Sequence, residues 1–228
     1  SPDEVAAIVF EPIQGEGGYI VPPPEFFEEL KRLSRKHGIL LIADEVQSGM
    51  GRTGKMFAVE HFGLEPDIIA LAKGIASGLP LGAIVARAEL MSWPPGSHAS
   101  TFGGNPISCA AALETIRLLE DELMQNAAET GEYLLESLRK LMTRCSVIGD
   151  VRGLGLMIGI ELVKDRATKE KAGAWRDLAV RRCFEKGLLI LGCGENTLRL
   201  MPPLIVNRAQ ADAALEILEE VLSAIPGT

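Results

Sequence analysis

The chain has 228 residues, 47% hydrophobic and 24% charged, enough for one large domain or two small ones around a substantial core. A formal charge of −8, with bases set beside acids as in Glu28-Glu29-Leu30-Lys31-Arg32, excludes an electrostatic nucleic-acid surface. No apolar stretch has the length of a membrane span, no signal-like segment is read at the start, and four cysteines without Cys-x-x-Cys spacing argue against a disulfide framework or a metal site, so a cytoplasmic setting is expected.

Residues 5–10 form a continuous apolar run that predicts a buried strand, followed by a glycine-rich turn (Gly15, Gly17, Gly18) and a proline run at 22–24. Helical spacing covers 24–37, with Phe26, Phe27, Leu30 and Leu33 on one side. Residues 39–43, 67–72 and 81–86 are further short apolar runs. Runs that do not alternate suit strands covered on both faces, as in a parallel α/β sheet. A helix over 105–120 begins at Asn105-Pro106, where proline suits the first turn. A long amphipathic helix over 122–143 opens a second region of different texture. There Leu156, Ile158, Ile160 and Leu162 alternate with Met157, Gly159, Glu161 and Val163, which predicts a strand with one wet face. A helix over 170–186, strands at 188–191 and 197–201, and a final helix over 208–224 complete the pattern. Asn207, with Gln210 three residues on, reads as the cap of that last helix. The predicted division therefore falls between 1–122 and a smaller α+β unit over 123–228.

Lys73 and Asp44 carry the chemistry. Lys73 follows the run at 67–72 and precedes a turn containing Gly74, Gly78, Pro80 and Gly82, while Asp44 ends the run at 39–43. Ligands of open parallel sheets bind beyond the carboxyl ends of the strands, where both residues are expected. A lysine amine held there can lose its proton and attack a carbonyl, and a fixed carboxylate is the partner a pyridinium nitrogen takes. Together they predict pyridoxal phosphate chemistry. The plainer alternative makes Asp44-Glu45 a turn cap and Lys73 a solvated loop lysine. A nucleotide hydrolase is a sharper rival, because Gly49-Met-Gly-Arg-Thr-Gly54-Lys55 satisfies Gly-x-x-x-x-Gly-Lys. Met56 stands where that motif needs a hydroxyl, and no strand of its own leads into the loop.

Five blocks carry a family resemblance: Glu11-Pro-Ile-Gln-Gly-Glu16-Gly-Gly, Ile42-Ala-Asp44-Glu-Val46-Gln47-Ser-Gly-Met-Gly-Arg-Thr-Gly, Leu71-Ala-Lys73-Gly, Ser100-Thr101-Phe-Gly-Gly-Asn-Pro and Leu198-Arg199-Leu-Met-Pro-Pro-Leu. In this order they resemble the class III aminotransferases, the ω-aminotransferase subgroup of fold-type I pyridoxal phosphate enzymes. The stretch Trp93-Pro-Pro-Gly-Ser-His-Ala-Ser-Thr is similar to prokaryotic 4-aminobutyrate aminotransferases. The resemblance implies pyridoxal 5'-phosphate as cofactor, with Lys73 as the Schiff-base lysine and Asp44 facing the ring nitrogen. It places Val46 on a ring face and Gln47 at the phenolic oxygen. Asp44 and Val46, two apart where a strand ends, would point the same way. Thr101 would reach a phosphate, that of the neighbouring subunit of a homodimer; a helix-entry cap is the alternative for it. Arg199 would fork a substrate carboxylate, a geometry lysine cannot reproduce, and Glu16 would pair with it when no carboxylate is present. A surface arginine is the alternative there.

The implied reaction moves the amino group of an ω-amino acid such as 4-aminobutyrate to a keto acid such as 2-oxoglutarate. An ornithine or acetylornithine aminotransferase, or an amino-acid racemase or epimerase on the same scaffold, is the alternative. A silent fragment that contributes a dimer surface is the non-enzymatic one. Members of the family carry a long portion ahead of the Glu-Pro-Ile-Gln block, with a phosphate-binding loop, a ring-stacking aromatic and several strands. That portion is missing from this chain. Residues 1–122 then correspond to the carboxyl-terminal part of the cofactor-binding large domain and 123–228 to the small α+β domain. Such a chain is expected to expose sheet edges and apolar surface, and to bind the cofactor weakly by itself.

Overall fold

A computed structural model describes residues 1–225 and divides them into two units. The first comprises Ser1–Pro12 and Pro22–Glu122; the second comprises Ile13–Val21 and the described residues from Leu123 onward. A linear division at 122 leaves out this exchange of Ile13–Val21.

In the first unit, β1 (Ala7–Phe10), β2 (Leu40–Asp44), β3 (Ile68–Leu71) and β4 (Ala83–Ala86) form one sheet in that order. β1, β2 and β3 are parallel, while β4 runs antiparallel to β3, so the apolar run at 81–86 gave the strand but not its direction. Helix α1 (Pro24–His37) makes the crossover between β1 and β2. It starts on a proline and stops at Gly38, whose left-handed backbone (φ 67°) donates its N–H to Ser34 O at 2.8 Å. Its last turn holds Arg35, Lys36 and His37, the charge the carboxyl end of a helix favours. Phe27 and Leu30 bury onto Phe10, Leu41 and Ala43, and Phe27 stacks on Phe62 with 3.9 Å between ring centroids. The alternate positions, on the other face of the sheet, stay open at Val9 (66% exposed) and Ile84 (51% exposed). Cover on both faces, expected from the unbroken apolar runs, is met on one face only. Helix α2 (Pro106–Leu118) follows; Asn105 caps it by accepting Ser108 N–H at 2.9 Å.

In the second unit, α3 (Met124–Arg144) leads into β5 (Ile148–Leu154), β6 (Met157–Asp165) and the two-residue β7 (Glu170–Lys171). Then come α4 (Gly173–Glu185), β8 (Leu191–Cys193), β9 (Thr197–Leu200) and α5 (Arg208–Ser223). The sheet is antiparallel in the order β5-β6-β9-β8, with β7 on β6. β8 begins at Leu191, where the run at 188–191 was expected to end. Asn207 and Gln210 form the reciprocal cap of α5, at 2.9 and 3.1 Å. Leu134 and Leu138 of α3 and Leu218 of α5 pack on Ile158, Ile160, Leu162 and Leu198. The other face of β6 is not wet. Met157 and Val163 are buried too, and Ile13, Tyr19 and Cys193 pack with Met157. The segment Ile13–Val21 supplies the cover that local alternation could not foresee.

Among the described residues no helix is long and apolar enough to cross a membrane.

Candidate active site

Asp44 is the last residue of β2 and is registered with Ala70 of β3; Glu45 N–H extends the pairing to Ala70 O at 3.0 Å. The strand stops there, and Val46 lies in a turn whose N–H donates to Asp44 Oδ1 at 3.0 Å. The two-residue alternation expected to align Asp44 with Val46 therefore does not operate. The turn itself orients the carboxylate. Gln47, half-buried beside them, has its side-chain oxygen buried.

Glu45 points the other way. It is 1% exposed and accepts Val59 N–H at 2.8 Å and Ser48 Oγ–H at 2.6 Å, pinning the loop that contains the glycine-lysine motif. Burial raises its pKa above the ordinary carboxylate value, against the opposing pull of the Ser48 and Val59 hydrogen bonds. Sequence reasoning missed this role, because the partners of Glu45, Ser48 and Val59, come from the loop beyond the strand. Within the loop, Lys55 donates to Glu60 O at 3.3 Å, and a short 3-10 turn (Ala58–Phe62) follows where a phosphate-binding loop would open a helix.

Lys73 starts a 3-10 turn (Lys73–Ala76) directly after β3 and Ala72. It is exposed, and its backbone is left-handed at φ 48°, a conformation that costs a non-glycine residue of order 1–2 kcal/mol. Strain of this kind persists only where surrounding structure over-determines it, and here the anchors are visible. Ile75 and Ala76 are buried, Ser77 Oγ lies 2.8 Å from Thr115 Oγ1 of α2, and Asn105 Nδ2 reaches Pro80 O at 3.5 Å. Helix α2 thus holds the turn that presents Lys73.

Thr101 is exposed in the irregular stretch ahead of α2. The cap of that helix is Asn105, which removes the cap reading of Thr101. Ser100 Oγ accepts Gly103 N–H at 3.0 Å and closes the local turn. The first unit thus offers a carboxylate and a lysine amine at strand ends and, on a separate exposed stretch, a hydroxyl beside Gly103 and Gly104. The carboxylate and the amine fit a pyridine aldehyde, and the hydroxyl fits a phosphate.

In the second unit, Arg199 sits on β9 between Gly159 of β6 and Leu191 of β8, and its Nη1 donates to Glu16 Oε1. The Arg199 side chain is 18% exposed and that of Glu16 72%. Burial opposes the guanidinium charge, but hydrogen bonding and attraction from Glu16 outweigh it, so the Arg199 pKa lies above its ordinary value. A cleft of about 560 Å³ lies beside this strand, lined by Arg199, Leu189, Met201, Pro202 and Ile205 among others. The cleft is bounded by residues of α3 and α5 and does not include Glu16, so the exchange rests on the pair itself: a largely buried guanidinium paired with an exposed carboxylate can trade that partner for a ligand carboxylate.

The chain matches the family model for class III aminotransferases over residues 1–222. A leucine/methionine racemase of Thermococcus litoralis is 48% identical over 223 residues, which is 97% of this chain and 50% of that protein. The 4-aminobutyrate aminotransferase GabT of Escherichia coli is 45% identical over 224 residues, 96% of this chain and 53% of that protein. Among solved structures, a PLP-bound amine transaminase from an uncultivated Pseudomonas species superposes with a TM-score of 0.92 at 37% identity, over 99% of this chain and 53% of that one. The chain therefore spans about half the length of the relatives it matches. The cofactor of the family is pyridoxal 5'-phosphate, and the α/β fold, with its mostly parallel first sheet, is part of fold-type I. Motif order, fold and similarity over nearly its whole length agree: this chain belongs to the class III aminotransferases.

Proposed function

We propose that the whole protein transfers the amino group of an ω-amino acid such as 4-aminobutyrate to a keto acid such as 2-oxoglutarate. The observation that carries this reading is the placement of Asp44 and Lys73 at the carboxyl ends of neighbouring parallel strands, with Lys73 held in a strained turn. Neighbouring strands lie about 4.8 Å apart and residues advance about 3.3 Å each, so the two Cα atoms fall within roughly 11 Å. One small heterocycle can reach both side chains across that gap.

When bound, the cofactor supplies a carbonyl that takes up an amine and a ring that accepts electrons. Asp44 would hold a proton at the ring nitrogen, and the Lys73 amine would carry a proton to and from the substrate carbon. Val46 and Gln47 would line the ring, and the Thr101 hydroxyl with neighbouring amides would take phosphate oxygens of the cofactor held by a second copy in a homodimer. Arg199 receives the carboxylate beside the reacting carbon of the keto acid, and Glu16 takes its place when the donor, whose carboxylate lies at the far end of its chain, presents none there. Because the first product leaves before the keto acid takes up the amino group, the kinetics are ping-pong.

The half of the relatives' length outside this chain is proposed to supply the remaining phosphate contacts and sheet neighbours, in a cytoplasmic enzyme. This chain alone then holds the cofactor weakly. Borohydride reduction of the loaded full-length enzyme, followed by peptide mass mapping, tests the assignment. A pyridoxyl group on the peptide containing Lys73, and loss of turnover by about a thousandfold or more in Lys73→Ala, are expected. A label on another lysine sinks it.

The racemase relative supports a second reading, an amino-acid isomerase on the same residues. A single enantiomer incubated without any keto acid separates the two, because only an isomerase gives net conversion to the mirror form.

A further inference from the structure

Glu16 is exposed, and the segment that carries it has no regular structure beyond one bridge, in which Gln14 and Ile20 exchange backbone hydrogen bonds at 3.0 and 3.2 Å. Its pairing with Arg199 therefore depends on what presses this loop onto the sheet. The register supplies the answer. Arg152 of β5 lies opposite Gly159 of β6, and Gly159 lies opposite Arg199 of β9. The three form one row on one face, two arginines flanking a residue without a side chain. Two strand spacings put the arginine Cα atoms only about 10 Å apart, and the loop backbone occupies the slot between them.

Arg152 uses its fork to hold that backbone. Nε donates to Tyr19 O at 3.1 Å, and Nη2 to Gly18 O at 2.7 Å and Thr197 Oγ1 at 3.2 Å. Nη1 is balanced by Asp150 and Glu161 at 2.8 and 2.7 Å. A Cβ at Gly159 would stand 3.0 Å from Tyr19 Cβ, tighter than side chains normally approach. Gly194, left-handed at φ 54°, donates its N–H to Glu16 O at 2.8 Å, and a Cβ there would meet Gly17 O at 2.9 Å. Tyr19 is fully buried and itself left-handed at φ 52°.

We propose that Arg152 is a positioning residue for substrate choice. By clamping the carbonyls of Gly18 and Tyr19 into the slot at Gly159, it holds Glu16 against Arg199 and sets how readily an incoming carboxylate displaces it. This rests on the reading of Arg199 as the carboxylate receiver. A ligand that must first displace Glu16 binds weaker by the inverse of the fraction in which Arg199 is open. Loosening the loop then favours the dicarboxylic keto acid, which needs Arg199 open. It disfavours a donor that leaves Arg199 without a carboxylate, since the guanidinium then loses its partner.

The test uses the loaded full-length enzyme, with hydrogen exchange of the amides at 14–20 read beside steady-state kinetics for 2-oxoglutarate and 4-aminobutyrate. Arg152→Met removes the fork, and Gly159→Ala wedges the loop without changing any charge, so either variant suffices if the other fails to fold. Faster exchange at 14–20 is expected in both. So are a KM about threefold lower for the keto acid and about threefold higher for the donor, with kcat changed less than either. Arg152→Lys, charged but unable to fork, falls between wild type and Arg152→Met. Unchanged exchange, or faster exchange with an unchanged ratio of the two KM values, overturns the proposal. Arg199→Lys distinguishes the two levels. If it raises the keto-acid KM while the Arg152 and Gly159 variants do not move the ratio, only the clamp fails. If it leaves that KM unchanged, the receiver reading fails and the clamp with it.

Discussion

The two sheets treat their second faces differently. In the first unit, one face lies under α1 while the other leaves Val9 and Ile84 more than half exposed. In the second unit both faces of β6 are closed, one by α3 and α5 and the other by Ile13–Val21, a segment more than a hundred residues earlier in the chain. The chemistry follows the same contrast. The first unit places Asp44 and Lys73 at strand ends, whereas the second places Arg199 on a strand face beside the segment that carries Glu16.

The contrast can be broken most forcefully in the closed sheet. Ile158 is fully buried there, and Ile158→Ala is expected to cost about 2–5 kcal/mol, read as a lower denaturation midpoint in this chain. In the full-length enzyme, Asp44→Asn is expected to lower kcat by roughly a hundred- to a thousandfold, with a smaller change in KM, because the carboxylate acts on charge that develops during reaction. An effect confined to KM would make Asp44 a turn residue and nothing more. Val9→Ser on the open face should shift stability by no more than about 0.5 kcal/mol, and a loss matching that of Ile158→Ala would mean the face is covered in solution.

The subtlest effect is a slope. Glu45 is protonated more readily in the folded chain than in the unfolded one, because burial raises its pKa. In the window between the ordinary carboxylate pKa and the raised value, the native state holds the extra proton. Stability therefore falls as pH rises through that window and recovers on acidification. Glu45→Gln should flatten the dependence of Tm on pH there, and an unaltered slope would assign it to another group.

Much of the framework was legible because its signals are local. Pro24 and Gly38 bracket α1, Asn207 with Gln210 starts α5, and apolar runs of strand length end at Asp44 and just before Lys73. β5 was not, because Gly149, Asp150, Arg152 and Gly153 interrupt any apolar rhythm. The strand survives on pairing with β6, which no local window reveals. At the site, Asp44, Lys73, Glu16 and Arg199 were nameable from motifs, whereas Glu45 and Arg152 were passed over as ordinary charges. Gly159 did carry a signal, since glycine inside an alternating strand often marks a close backbone approach.

By itself the sequence determined the main helices, the strands of the first sheet and where the parallel ones end, and which family the chain belongs to, since all of these depend on neighbours along the chain. Only the tertiary structure decided that β4 reverses, that Glu45 rather than Asp44 turns inward, and that Ile13–Val21 closes the second sheet. It also joined Arg152 to the carbonyls of Gly18 and Tyr19, partners 134 and 133 positions apart. Local pattern states what a side chain needs to bury or to pair with; which distant group meets that need is settled by strand register and the closing of long loops.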